Sequence, residues 1–165
     1  MHQETAKQYL KAGLNPVPLP KGGKIPSRKD WGSSIKKEVD QFDFDEIGIC
    51  TGTVSGGLEV IDFDLDVLDD DDAEEVWLDW KSRVPVNILE KLIVAVTPSG
   101  GYHGIYRNSV VEGNKILARK EDGKTTIIET RGEGGYIKCF PSKGYKVIYG
   151  DITKPNILED YERNV

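Results

Sequence analysis

Cysteine and histidine are scarce, with two of each in 165 residues. Cys50 and Cys139 stand alone, without a Cys-x-x-Cys or Cys/His cluster, which excludes a zinc knuckle and argues against a disulfide scaffold. Long apolar runs are missing as well. The longest, such as residues 93–96, are strand-sized, so no membrane span is expected. The N-terminus, MHQETAKQYLKAG, holds no apolar signal region, which makes an intracellular location the expectation. No internal repeat or low-complexity tract occurs. A length of 165 residues suits one domain with a real core.

One segment lacks bases altogether. Between Glu59 and Asp79 stand eleven carboxylates and no Lys or Arg. The whole chain carries 22 bases against 28 acids, a net charge of −6; outside this segment it carries 22 bases against 17 acids, a balance of +5. Ions screen charge beyond roughly 8–10 Å, so the local surface and not the sum decides which partners are repelled. A polyanionic partner is therefore compatible with this chain. Asp69, Asp70, Asp71 and Asp72 read as solvated turn and helix-start residues, with Asp72 as N-cap and Glu75 completing a capping box.

Periodicity and breakers predict a mixed α/β (α+β) chain with several short strands. Helices are expected at residues 4–12, 35–42, 73–83 and from 156 to 161. Strands are expected at 47–51, 58–66, 92–97, 102–107, 125–131, 136–140 and 145–149. The turn PSGG makes 92–97 and 102–107 a hairpin, and GEGG sets 136–140 beside 125–131. Residues 15–34 read as a packed Pro/Gly/Lys-rich connection anchored by Trp31, and 108–122 as a polar loop. Residues 151–165 read as the start of a helical extension or linker, which suggests the front part of a longer polypeptide.

Three stretches carry chemistry. In VIDFDLD, Asp62, Asp64 and Asp66 share one parity and Ile61, Phe63 and Leu65 the other, so the carboxylates line one face of the strand. Same-face positions are about 6.5–7 Å apart, and ionised carboxylates so close call for a cation such as Mg²⁺ or Mn²⁺. An EF-hand is excluded, because Val67 and Ala73 occupy the positions that need Gly and Glu. A phosphatase-type Asp-x-Asp nucleophile and a merely polar strand face are the alternatives. TPSGGYHGIYR places His103 after a turn whose amides at Ser99, Gly100 and Gly101 form a candidate anion nest. IIETRGEGGY places Glu129 and Arg131 on one strand face, a metal carboxylate beside a phosphate-gripping guanidinium or a plain surface ion pair.

In order and spacing these segments resemble the N-terminal bifunctional primase–polymerase (prim-pol) domain of the archaeo-eukaryotic primase superfamily, common in phages, plasmids and integrated elements. VIDFD (residues 60–64) matches its first motif, TPSGGYH (97–103) its second and ETRGEGGY (129–136) its third. Flanking matches include the opening helix, GKIP leading to Trp31, GICTG (48–52) and Pro141-Ser142, so that about residues 4–150 are covered. The third acid is often Asp in that family; here it is Glu129.

The resemblance implies a primase-like core, a mixed and mainly antiparallel (RRM-like) sheet with an N-terminal α/β lobe, in a single domain over residues 1–165. It implies template-directed nucleotidyl transfer with two Mg²⁺ or Mn²⁺ ions held by Asp62, Asp64 and Glu129. His103, Ser99, Gly100, Gly101 and Arg131 would hold the incoming triphosphate, with Lys24 a further candidate and Asp66 solvated or behind the metal ligands. Single-stranded DNA template, primer and (d)NTPs are the implied partners, with a replicative helicase in the same chain or complex, in a bacterial or host cytoplasm. Lys21, Lys24, Arg28, Lys29, Arg107 and Lys138 would follow template phosphates. Two alternatives are a catalytically silent nucleotide- or nucleic-acid-binding module and a metal-dependent phosphohydrolase.

Overall fold

The computed structural model describes residues 2–26, 31–32 and 45–165. The helix expected at 35–42, Arg28 and Lys29 lie outside them. The described chain opens with helix α1 (Gln3–Lys11) and strands β1 (Asn15–Leu19), β2 (Glu46–Cys50) and β3 (Leu58–Phe63). Helices α2 (Asp70–Arg83) and α3 (Val86–Leu89) follow. Then come strands β4 (Ile93–Val96), β5 (Tyr102–Asn108), β6 (Lys115–Arg119), β7 (Thr126–Arg131), β8 (Tyr136–Lys138), β9 (Lys146–Tyr149) and β10 (Ile157–Leu158). Helix α4 (Asp160–Arg163) ends the series. No helix among the described residues is long and apolar enough to cross a membrane. Both cysteines are buried.

The strands form two sheets. A three-stranded sheet has the order β1-β2-β8, and a seven-stranded sheet runs β6-β7-β3-β5-β4-β9 with β10 on β5. Among the described residues these strands pair antiparallel, except β10 with β5. The expected α+β class, a mainly antiparallel sheet with an N-terminal α/β lobe, is what the chain adopts.

Central strand β3 explains how the layers assemble. Leu58 and Val60 project to one face and pack with Tyr9, Leu14, Ile47, Ile49 and Ile137 of the N-terminal lobe. Ile61 and Phe63 project to the other, where Phe63 meets Trp77 and Trp80 of α2 edge-on, with ring centroids 5.1 and 5.0 Å away. A buried aliphatic or aromatic side chain contributes about 1.5–3 kcal/mol, so two covered faces lock this strand in place.

Several elements differ from the sequence reading. The prolines of residues 15–19 do not break β1, because it is the edge of its sheet and a missing N–H costs nothing there. Within 108–122 lies β6, an edge strand whose side chains are mostly exposed, so no alternating pattern announces it. Strand β8 does not return beside β7. Thr51 N–H donates to Gly135 O (2.9 Å) and its hydroxyl to Gly132 O (2.5 Å), which steers the chain to β2. Helix α2 starts at Asp70 with Asp69 as N-cap, not Asp72, and no side chain caps it; Asp70, Asp71 and Asp72 instead sit in its first turn, where the helix dipole favours them. The reciprocal capping box occurs in α4, between Glu159 and Glu162.

The helix expected at 156–161 is likewise corrected. Ile157 and Leu158 pair with Arg107 and Asn108, and only then does α4 begin. From α4, Arg163 donates to both carboxylate oxygens of Glu59 (2.7 and 2.8 Å) and pairs with Glu112 (2.8 Å). Glu59, 2 % exposed, also accepts from the Tyr106 hydroxyl (2.6 Å) and the Asn108 amide (3.2 Å). Glu59 thus closes a polar network on the α2 side of the sheet.

Candidate active site

In the seven-stranded sheet Asp62 of β3 stands directly opposite Glu129 of β7 on one side and His103 of β5 on the other. Opposed residues of antiparallel strands project to the same face, so three separated sequence motifs form one row across three neighbouring strands. Asp64 joins them by a different route. Strand β3 ends at Phe63, and the chain bends at Asp64 (φ −82°, ψ 72°) into a 3₁₀ turn at Leu65–Val67. One oxygen each from Asp62, Asp64 and Glu129 then lies within 4.8 Å of the others. Asp66, which simple alternation would align with them, is exposed and borders a groove beside α2 with Asp70 and Glu74.

The electrostatics are those of a carboxylate cluster short of positive charge. Asp62 is 9 % exposed. Burial pushes its carboxyl up, but His103 Nε2 (3.4 Å) and Arg131 Nε (3.4 Å) outweigh that and hold it below the usual range. Burial followed by repulsion from Asp62 and Asp66 raises the Asp64 carboxyl. Burial also raises that of Glu129, with Asp62 and Asp64 reinforcing it against the attraction of Arg131. Three converging hard oxygens, two of them destabilised as anions, suit a divalent cation with oxygen preference.

Arg131 lies against the carboxylates, with Nη2 2.5 Å from Glu129 Oε1, where it is their nearest countercharge. His103 is 5 % exposed; its Nδ1 is buried without a hydrogen-bond partner among the described residues, and its ring lies 6.0 Å from that of Tyr145. The Ser99–Gly101 turn departs from an open nest. Gly100 N–H donates to Thr97 O (3.2 Å) and Gly101 N–H to Thr97 Oγ1 (3.0 Å), so two of its amides are used internally. Of the three residues, only Ser99 lines the cleft. Gly101 serves packing instead, since a Cβ there would lie 2.2 Å from Phe63 O.

Asp62 and Asp64 open into a cleft of about 200 Å³ between the two sheets, with Glu129 behind its lining. Lys24, Tyr136, Lys138 and Tyr145 form its other wall. Exposed Lys24 favours the ionised form of Asp64. Two expected template-binding cations are otherwise engaged. Arg107 donates to the carbonyls of Ser55 (2.7 Å), Gly56 (2.8 Å) and Ala12 (3.0 Å), tying loop to helix end. Lys138 pairs with Glu46 at 3.1 Å in a nearly buried bridge.

Tyr145 and Glu46 escaped the sequence reading. Tyr145 closes the PSKGY segment, of which the sequence reading uses only Pro141-Ser142 and the strand start at 145. Burial, and then Asp62, push its hydroxyl up to about 12, so it is a neutral donor at physiological pH. Glu46 opens a strand whose other residues are all buried, the one hint of a special role. Burial raises the Glu46 carboxyl, but the Lys138 ammonium, the Gly22 amide and the Ser142 hydroxyl together hold it below the usual range. Its contribution to stability is therefore full above the unfolded-state value and lost as pH falls through the folded one. Urea midpoints measured between about pH 6 and pH 3 should fall less steeply in Glu46→Gln than in the wild type. Equal slopes would contradict this.

The sequence model of the family described as bifunctional DNA primase/polymerase, N-terminal, matches residues 6–158. Among curated proteins no match to the chain is found. The matched span contains all three motifs, the metal-competent carboxylates and both sheets, and the family-level activity is metal-dependent nucleotidyl transfer on DNA and nucleotide substrates. The row of Glu129, Asp62 and His103 thus has its explanation: the chain belongs to the bifunctional DNA primase/polymerase N-terminal (Prim-Pol) family.

Proposed function

We propose that this chain adds nucleotides from (d)NTPs to a 3′-hydroxyl under the direction of a single-stranded DNA template, with Asp62, Asp64 and Glu129 holding two Mg²⁺ or Mn²⁺ ions. The convergence of these three carboxylates on one face of the sheet, beside a cleft lined with cations, carries the reading. Bound there, the ions would supply charge neutralisation for the triphosphate and acidify the attacking hydroxyl. The side chains do the positioning, which dominates phosphoryl-transfer catalysis. Arg131 and Lys24 supply fixed positive charge on opposite walls of the cleft. His103 lines the cleft with its Nε2 3.4 Å from Asp62, and Tyr145 offers a neutral hydroxyl to the nucleotide. Ser99 adds its hydroxyl at the rim, while Gly100 and Gly101 shape the turn. Lys21 and Lys24 face the solvent where template phosphates would run.

The test offers primed and unprimed single-stranded templates with dNTPs or rNTPs under Mg²⁺ or Mn²⁺. Template-length products with one pyrophosphate released per nucleotide are expected. Phosphate or pyrophosphate release without strand growth would make the site a hydrolase, and nucleotide binding without either product would make it a silent module. The cation has a separate readout. At a concentration 100 times its Kd it stabilises the native state by about 2.7 kcal/mol, a rise of roughly 5–10 °C in Tm for a chain of this size. The shift should vanish in Asp62→Asn/Asp64→Asn; an unchanged shift would place the cation elsewhere.

A further inference from the structure

Lys24 sits on a ribbon, residues 20–25, with no regular secondary structure. A tight turn opens it: Gly23 N–H donates to Pro20 O (2.9 Å), and Gly22 takes a φ of +71° that other residues rarely adopt. Three further bonds strap the ribbon to the three-stranded sheet. Gly22 N–H donates to Glu46 Oε1 (3.2 Å), Lys138 Nζ to Gly23 O (3.1 Å) and the Tyr136 hydroxyl to Lys24 O (2.8 Å). The first two converge on one ion pair. Lys138 Nζ and Glu46 Oε2 are 3.1 Å apart, with side chains only 10 % and 9 % exposed.

Glu46 reaches further still. Its Oε2 accepts from Lys143 N–H (3.3 Å), in the segment between Ser142 and Tyr145. Ser142 in turn receives Ile47 N–H on its hydroxyl (2.8 Å). One nearly buried carboxylate therefore joins the ribbon that bears Lys24, the strand that bears Tyr136 and Lys138, and the loop that leads to Tyr145. An apolar pair would fill this place at lower desolvation cost; what the charged pair adds is directional bonds that fix one geometry.

We infer that Glu46 and Lys138 are positioning residues that set Lys24 against the triphosphate, an inference that rests on the nucleotide-binding reading of the cleft. Lys138 lines the cleft, yet its ammonium is held by Glu46 and by Gly23 O, so it acts through the ribbon and not on phosphate. An untethered lysine on a Gly-Gly ribbon would lose conformational freedom on meeting a ligand. The strap removes that cost before the nucleotide arrives.

Binding of dATP with Mg²⁺ to the full chain, without template or primer, tests this by titration. Glu46→Gln and Lys138→Met should each weaken dATP binding about tenfold, and Lys24→Met at least as much. The strap acts through Lys24, so Glu46→Gln/Lys24→Met should bind no more weakly than Lys24→Met alone. Lys138→Arg should restore binding. Tyr136→Phe, which removes only the outer bond and leaves the ion pair intact, should weaken binding severalfold with the same dependence on Lys24; it keeps the test open if Glu46→Gln does not fold. Independent, multiplying effects of Glu46→Gln and Lys24→Met would overturn the inference. So would tighter binding in Glu46→Gln alongside weaker binding in Lys138→Met, since Lys138 would then be the phosphate ligand itself. A wild type that binds normally beside an unaffected Glu46→Gln sinks this inference alone. A wild type that does not bind dATP overturns both it and the nucleotide-binding reading.

Discussion

On the proposed function, Asp62→Asn and Asp64→Asn should each lower templated nucleotide addition by about 10³-fold, the scale expected when a group that stabilises transition-state charge is removed. Their effects on stability diverge. Asp62 has partners in the metal-free protein: Nε2 of His103 and Nε of Arg131 face its two oxygens. Its neutralisation removes the anion that faces the buried His103 ring and leaves Arg131 with Glu129 alone, so Tm should fall. Among the described residues Asp64 has no such ion pair, and burial with repulsion from Asp62 and Asp66 outweighs the attraction of Arg131 and Lys24. Its neutralisation relieves that repulsion, so Tm in a chelating buffer rises or holds. Primer extension together with calorimetry reads both halves. A double variant that still extends primers would put the chemistry elsewhere; equal Tm changes would contradict the asymmetry.

Arg163→Met has the largest expected effect on stability, at a position far from the cleft. Its side chain is 8 % exposed and bridges Glu59 and Glu112, and Glu59 itself is 2 % exposed. Removing one partner of a buried pair costs about 3–5 kcal/mol, because the other charge stays desolvated. For a chain of this size that is roughly 6–20 °C in Tm. The Tyr106 hydroxyl and Asn108 amide still reach Glu59, which places the expectation toward the lower end. Pairing Arg163→Met with Glu59→Leu should recover much of the loss, since no buried charge then remains unpaired. A double variant less stable than Arg163→Met by the full cost of another core substitution would show that packing and not charge governs this corner. The same residues hold β10 and α4 against the sheet, which is why the tail cannot be treated as loose chain.

The three motifs were visible because each is a short run of unusual residues next to turn formers. Alternation placed Asp62 on the correct face of β3. It failed for Asp64 and Asp66 because the strand ends at Phe63, and a bend, not the pleat, brings Asp64 back to the cluster. Strands β1, β6 and β10 were hidden for separate reasons: prolines tolerated at an edge, a solvent-facing strand without alternation, and a two-residue pairing too short for any period. A Gly-Gly turn suggested free amides at Ser99–Gly101, but the Thr97 side chain and carbonyl take two of them, which spacing alone does not reveal.

The sequence by itself determined the chemical inventory: carboxylates in a hydrophobic strand, a histidine behind a glycine turn, an acid–arginine strand, and a family to which their order and spacing correspond. Those signals are local, set by side-chain type and the next few residues. Tertiary structure decided which groups meet. It set Glu129, Asp62 and His103 side by side, bound Arg107 and Lys138 to structural duties, and strapped Lys24 over the cleft through Glu46. Such pairings join residues far apart in the chain, and strand register together with the burial of charge selects them, neither of which is written in any single segment.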